Sequence, residues 1–196
     1  MGQFLEVCAP HRGARGVTLS DDVDISDLKQ SRMDRILPDG RGVWVPFDHG
    51  VSDWPVEGLQ DTGLLVQRLT GSNGADALLS HRGPLTSFAS KTPSNWKGGW
   101  ILHVSASTRH GGDLIGHKVL AGDPSTLVHT AADRGAVGVS VQVNVGDEHE
   151  PEMLESLAQV ADECQLLGMP LLGMMYPRGP NLTPQPDDET NGVAHA

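Results

Sequence analysis

Five polar side chains stand directly after five short apolar runs: Asp48 after 42–47, His81 after 75–80, Ser105 after 100–104, Asn144 after 137–143 and Tyr176 after 170–175. Asp48 and Tyr176 are the two singled out for acid/base work. A carboxylate and a phenol gathered at one mouth can pass protons to and from a substrate hydroxyl. Each also has a purely structural reading. Asp48, in Asp48-His49-Gly50, suits a turn or a helix cap. Tyr176, the only tyrosine of the chain, suits a packed ring with a bonded hydroxyl. Arg178 and Arg82 could hold a phosphate or carboxylate or form rim salt bridges. Ser105 and Ser107 could donate to a phosphate or belong to a polar loop. Nine histidines, His49, His81 and His103 among them, raise the question of a metal. No HxH pair, HExxH motif or carboxylate at fixed helical spacing answers it, so neither metal nor cofactor is expected. Gly111-Gly112 lacks a GxGxxG or Walker context, and nucleotide binding is not supported.

Those residues need elements to hold them. Apolar runs bounded by Gly and Pro alternate with helical stripes at 58–69, 124–134 and 151–167, the signature of βαβ units and a parallel sheet. Asp123, Pro124 and Gly135 mark the two ends of one helix. Another starts at Ser26 or Asp27 and stops at Pro38-Asp39-Gly40. A βα barrel and a doubly wound sheet both bind ligands at the strand C-terminal edge, and periodicity does not separate them. Residues 1–27 read as a flexible N-terminal extension, 28–180 as the folded domain and 181–196 as a disordered tail.

Composition narrows the partners. Lys plus Arg is 14 and Asp plus Glu is 25, for a formal charge of −11. Nucleic acid and anionic membrane surfaces both call for a basic patch, so neither is expected. No run of apolar residues reaches the length of a transmembrane helix. Cys8 and Cys164 fit no zinc spacing and read as thiols in a reducing, cytoplasmic setting.

Five segments in order carry a resemblance: Val45-Pro-Phe-Asp-His-Gly50, Gly74-Ala-Asp-Ala77, His103-Val-Ser-Ala-Ser-Thr108, Val141-Gln-Val-Asn-Val-Gly146 and Gly168-Met-Pro-Leu-Leu-Gly-Met-Met-Tyr-Pro-Arg-Gly179. From about Gln30 to Gly179 the chain resembles the archaeal-type class I fructose-bisphosphate aldolases, most of all their 2-amino-3,7-dideoxy-D-threo-hept-6-ulosonate synthase branch. The resemblance implies an α/β fold, a (β/α)8 barrel, here truncated after the fifth strand. It implies Schiff-base chemistry without metal on a phosphorylated ketose such as fructose 1,6-bisphosphate or dihydroxyacetone phosphate. In the synthase branch the acceptor is L-aspartate semialdehyde, on a route to aromatic precursors. Asp48 and Tyr176 then match the family's acid/base pair. His49, His81, Ser105, Ser107, Gln142, Asn144 and Arg178 are the expected substrate contacts, with Gln142 where the synthases are expected to carry histidine. A homo-oligomer is possible.

The family's lysine lies some thirty residues beyond the tyrosine, whereas this chain ends twenty residues after Tyr176. Lys29, Lys91, Lys97 and Lys118 all read as solvated surface lysines. The alternative expectation is therefore a catalytically inactive or partner-binding relative.

Overall fold

A computed structural model describes residues 24–53 and 56–181. Helix α1 (Ile25–Ile36) comes first. Its cap is Asp24, ahead of the expected Ser26 or Asp27: the carboxylate accepts from the Ser26 N–H at 2.8 Å and from the Ser26 hydroxyl at 2.6 Å. This satisfies backbone donors that a helix start leaves open. Residues 24–27, read as part of an extension, are thus structured, while 1–23 and 182–196 lie outside the described residues.

The strands are β1 (Trp44–Pro46), β2 (Ala77–Ser80), β3 (Gly99–His103), β4 (Ser105–Ala106), β5 (Val119–Leu120), β6 (Ala136–Val145) and β7 (Leu171–Pro177). Five make one sheet in the order β1-β2-β3-β6-β7, every pair parallel. The remaining two, β4 and β5, form a small antiparallel hairpin that the sequence reading did not anticipate. The helices after α1 are α2 (His49–Ser52), α3 (Thr62–Gly71), α4 (Arg82–Phe88), α5 (Pro124–Asp133) and α6 (Glu150–Leu166). Helix α3 starts later than its apolar stripe, because Asp61 is the cap and accepts from the Leu64 N–H at 2.8 Å. For α5 the cap is Asp123 and the first helical residue Pro124, as expected.

Successive strand residues face opposite sides, and the buried residues divide accordingly. Leu78, Trp100, Leu102, Val139 and Val141 pack outward with Val66, Leu85, Leu127, Val128 and Val160 of the helices. Ala77, Leu79, Ile101 and Val137 face inward and meet Ile36, Met33 and Leu37 at the end of α1. Helix α1 crosses the N-terminal edge of the sheet and is fastened there by two arginines. Arg32 donates from Nη1 to the carbonyls of Leu167 (2.5 Å) and Gly168 (2.8 Å), just before β7. Arg35 donates from Nη2 to the Gly98 carbonyl at 2.5 Å, just before β3. Continuing the inward parity two residues past Leu79 and Ile101 brings His81 and His103 onto the same face. The opposite edge of the sheet is polar.

Candidate active site

A cleft of about 740 Å³ lies at that C-terminal edge, and Asp48, His49, Lys118, Gln142, Asn144, Tyr176 and Arg178 are among its walls. Asp48 sits where a cap for α2 would, but its side chain makes no capping bond. Its carboxylate turns instead to two imidazoles, with Oδ2 3.6 Å from His103 Nε2 and Oδ1 3.9 Å from His49 Nδ1.

His103 is buried, 3% exposed, and its Nδ1 lies 2.8 Å from Ser140 Oγ. Burial disfavours the imidazolium and pulls its pKa down to about 4, against the opposing pull of Asp48. His81 is also held below the ordinary imidazole range, first by burial. Its Nδ1 lies 3.1 Å from the His103 carbonyl oxygen. A carbonyl only accepts, so that nitrogen carries the proton and Nε2 keeps its lone pair. Both rings are therefore neutral near pH 7. Asp48, His81 and His103 each offer a donor atom within 4.8 Å of the others. Two neutral imidazoles and a carboxylate, with each Nδ1 already engaged by a protein oxygen, are a donor set that can hold a divalent ion. In the sequence these histidines have no spacing to each other or to a carboxylate that points to a metal. The trio comes together only through the alignment of three strands.

Tyr176 faces Asn144 across the β6–β7 register. Its hydroxyl makes no hydrogen bond among the described residues. The Arg178 guanidinium lies over its ring, 4.1 Å from the centroid, a cation–π contact. The turn after β7 is fixed by a close backbone approach. The Arg178 and Gly179 N–H groups both donate to the Val145 carbonyl, at 3.2 and 3.0 Å. A Cβ on residue 179 would fall 1.8 Å from the Gly146 carbonyl carbon, so only glycine fits.

Lys118 corrects the sequence reading. It is 8% exposed, not solvated, and its Nζ donates to Ser107 Oγ at 2.6 Å. The hairpin is the physical reason: pairing Ser105–Ala106 with Val119–Leu120 folds the intervening loop back over the cleft. Burial lowers the Lys118 pKa, Arg178 lowers it further, and Asp48 opposes both. Lys29, Lys91 and Lys97 are exposed as expected.

The other expected contacts divide. Gln142 and Asn144 line the cleft and are bonded to each other, Nε2 to Oδ1 at 2.9 Å, while Asn144 Nδ2 donates to the Gly116 carbonyl at 2.6 Å. His49 and Arg178 also face the cleft. Ser105 is buried and accepts the Gln142 backbone N–H at 2.9 Å. Ser107 donates its hydroxyl proton to the Ile115 carbonyl at 2.6 Å. Neither serine is among the residues that wall the cleft, so both act by positioning its walls. Cys164 is buried, and burial pushes its thiol up to about 12; Cys8 lies outside the described residues.

Comparison with known proteins decides the family. The model of the DeoC/LacD family aldolases matches residues 43–196. The chain belongs to the DeoC/LacD aldolase family. It is 36% identical over 155 residues to the 2-amino-3,7-dideoxy-D-threo-hept-6-ulosonate synthase of Halobacterium salinarum, covering 79% of this chain and 55% of that one. It is 34% identical over 171 residues to the 2-amino-4,5-dihydroxy-6-oxo-7-(phosphonooxy)heptanoate synthase of Streptomyces griseus, covering 86% of this chain and 58% of that one. The chain thus spans a little over half the length of these relatives. Among solved structures, the fructose-bisphosphate aldolase of Slackia heliotrinireducens superimposes with a TM-score of 0.67 at 19% identity, over 85% of this chain and 55% of its own. An archaeal fructose-1,6-bisphosphate aldolase, with its catalytic lysine bound to a carbinolamine intermediate, superimposes with a TM-score of 0.63 at 20% identity, over 80% of this chain and 60% of its own. The five parallel strands are therefore a curled part of an aldolase barrel. No helix among the described residues is long and apolar enough to cross a membrane.

Proposed function

We propose that this DeoC/LacD family member is a Schiff-base aldolase or transaldolase for a ketose phosphate, in which Asp48 and Tyr176 move the protons. One observation carries the reading: a carboxylate and a phenol whose side chains make no hydrogen bond among the described residues line the same cleft. Aldol cleavage removes a proton from the hydroxyl adjacent to the breaking C–C bond and returns one to the carbon left behind. Formation and hydrolysis of the carbinolamine need further transfers. Asp48 faces neutral His103, and the buried imidazole gives its carboxylate a fixed direction without neutralising it. Tyr176 offers its hydroxyl from the strand two places beyond β3. The substrates in view are fructose 1,6-bisphosphate and dihydroxyacetone phosphate, with L-aspartate semialdehyde as an acceptor in the manner of the synthase branch.

The test is cleavage of fructose 1,6-bisphosphate, followed by coupled oxidation of the triose product, beside borohydride reduction of the chain with dihydroxyacetone phosphate. Turnover together with one adduct per chain on a single lysine, the buried Lys118 being the first to inspect, supports the reading. Without the family's lysine the chain has no other buried amine among the described residues to form the Schiff base. A chain that neither cleaves nor is trapped is instead the inactive, partner-binding relative.

A further inference from the structure

We propose that Asp48, His81 and His103 form a binding site for a zinc ion at the floor of the cleft. The site rests on the geometry of three neighbouring strands and does not depend on aldol turnover. Pro46, Leu79 and Ile101 are successive register partners across β1, β2 and β3. Residues two apart along a strand share a face, so the next inward row is Asp48, His81 and His103. Their donor atoms all lie within 4.8 Å of one another. The spacing inside the trio suits an ion better than a hydrogen bond. Asp48 Oδ2 stands 3.6 Å from His103 Nε2, too far for a shared proton. Two donors each about 2.1 Å from one tetrahedral ion stand roughly 3.4 Å apart.

Nothing else among the described residues claims the carboxylate. Its side chain is only 13% exposed, and the chargeable groups beside it are two imidazoles, His103 and the exposed His49 at 3.9 Å. Lys118 is held on Ser107 at 2.6 Å and forms no ion pair with it. A carboxylate so enclosed is ordinarily paired or on a metal. The outer partners of both rings are those of ligating histidines. His81 Nδ1 donates to the His103 carbonyl at 3.1 Å, and His103 Nδ1 lies 2.8 Å from Ser140 Oγ. An oxygen on Nδ1 fixes the ring and leaves the Nε2 lone pair for a metal. Two imidazole nitrogens and one carboxylate suit zinc, whereas Mg²⁺ and Ca²⁺ take oxygens. Asp48 is also a wall of the cleft, so a fourth position opens toward it. On the aldolase reading, zinc there occupies the carboxylate that moves protons, and a loaded chain is silenced.

The test is calorimetric titration of the full chain, treated with a chelator and free of any histidine tag, with Zn²⁺ and separately with Mg²⁺ at neutral pH. One Zn²⁺ per chain is expected, with Mg²⁺ far weaker. Co²⁺, the second probe, should give the visible absorption of a four-coordinate ion. Asp48→Asn, His81→Gln and His103→Gln should each weaken Zn²⁺ by more than about a hundredfold, and Ser140→Ala, which removes an outer partner, by about tenfold. His149→Gln, from the stacked His117–His149 pair, and His129→Gln, exposed on α5, leave it unchanged. If His103→Gln fails to fold by circular dichroism, the half-buried His81→Gln decides. No stoichiometric Zn²⁺, unaltered affinity in folded His81→Gln, or loss in His149→Gln instead overturns the site. Mg²⁺ binding as tightly overturns its assignment to zinc. A zinc-loaded chain that cleaves fructose 1,6-bisphosphate at the full rate removes Asp48 from the ligands and overturns the site as drawn. Zinc bound through the trio in a chain that never cleaves, with or without metal, supports the site and sinks the aldolase reading alone.

Discussion

The two edges of the central sheet are built to opposite rules. At the N-terminal edge, α1 lies across the strand starts, its apolar end meets Leu79, Ile101 and Val137, and Arg32 and Arg35 close the loop carbonyls beneath β7 and β3. Polar groups there point at each other. At the C-terminal edge, Tyr176 and Arg178 leave donors open, and two neutral histidines and Asp48 converge without a salt bridge at neutral pH. The first edge is satisfied internally and contributes stability. The second leaves polar groups unmatched, which has value only when something binds.

The largest separation between the edges should appear in catalysis. Asp48→Asn and Tyr176→Phe are expected to lower aldol turnover by about 10²–10⁴-fold, while their melting temperatures stay within a few degrees of wild type. A large fall in melting temperature for either would mean that the open edge is structural after all. At the closed edge, Ile101→Ala should cost about 2–5 kcal/mol in denaturant unfolding, through lost burial and a cavity that α1 cannot fill.

One residue of the open edge should still register in stability, through pH. His103 is held neutral when folded, with a pKa of about 4 against an unfolded value near 6.5. The unfolded chain therefore takes up a proton first as the pH falls. Stability should be full above about pH 6.5 and decline toward pH 4, by up to about 3 kcal/mol. Urea unfolding at pH 7 and pH 4.5 checks this, and His103→Gln should flatten the difference. The smallest effect belongs to Arg32→Met, expected to cost about 1–3 kcal/mol because two carbonyls lose a charged donor. A change below a few tenths would show that water replaces the arginine and that this edge is less closed than drawn.

Much of this architecture was legible because the signals are local. Asp123, Pro124 and Gly135 (φ +78°) delimit α5 with little tertiary help, and Gly168 (φ +56°) lies just beyond α6. Asp48 and Tyr176 were legible as strand-end residues inside quotable motifs. Lys118 was not, since its burial depends on a hairpin of two-residue strands, too short to leave a period. The association of His103 with Asp48 also escaped, although alternation carried a usable hint: Ile101 faces inward, and so must the residue two places on. Ser105 and Ser107 show the converse. A hydroxyl at a strand end looks like a ligand contact until the backbone groups that claim it are in place.

The order of the strands has a consequence for how the chain reaches this state. Each strand of the sheet pairs with the sheet strand that precedes it in the sequence: Ala77 returns to Trp44, Gly99 to Ala77, Val139 to Leu102 and Leu171 to Val139. No pairing waits for a distant segment, so every loop closed is of moderate length and its entropic cost is much the same from one step to the next. A chain leaving the ribosome from its N-terminal end can lay down β1, then add one βα unit at a time to an edge already formed. Assembly can follow synthesis, and β7, the last of the described strands, delivers Tyr176 and Arg178 to a wall that β6 and the hairpin have already shaped.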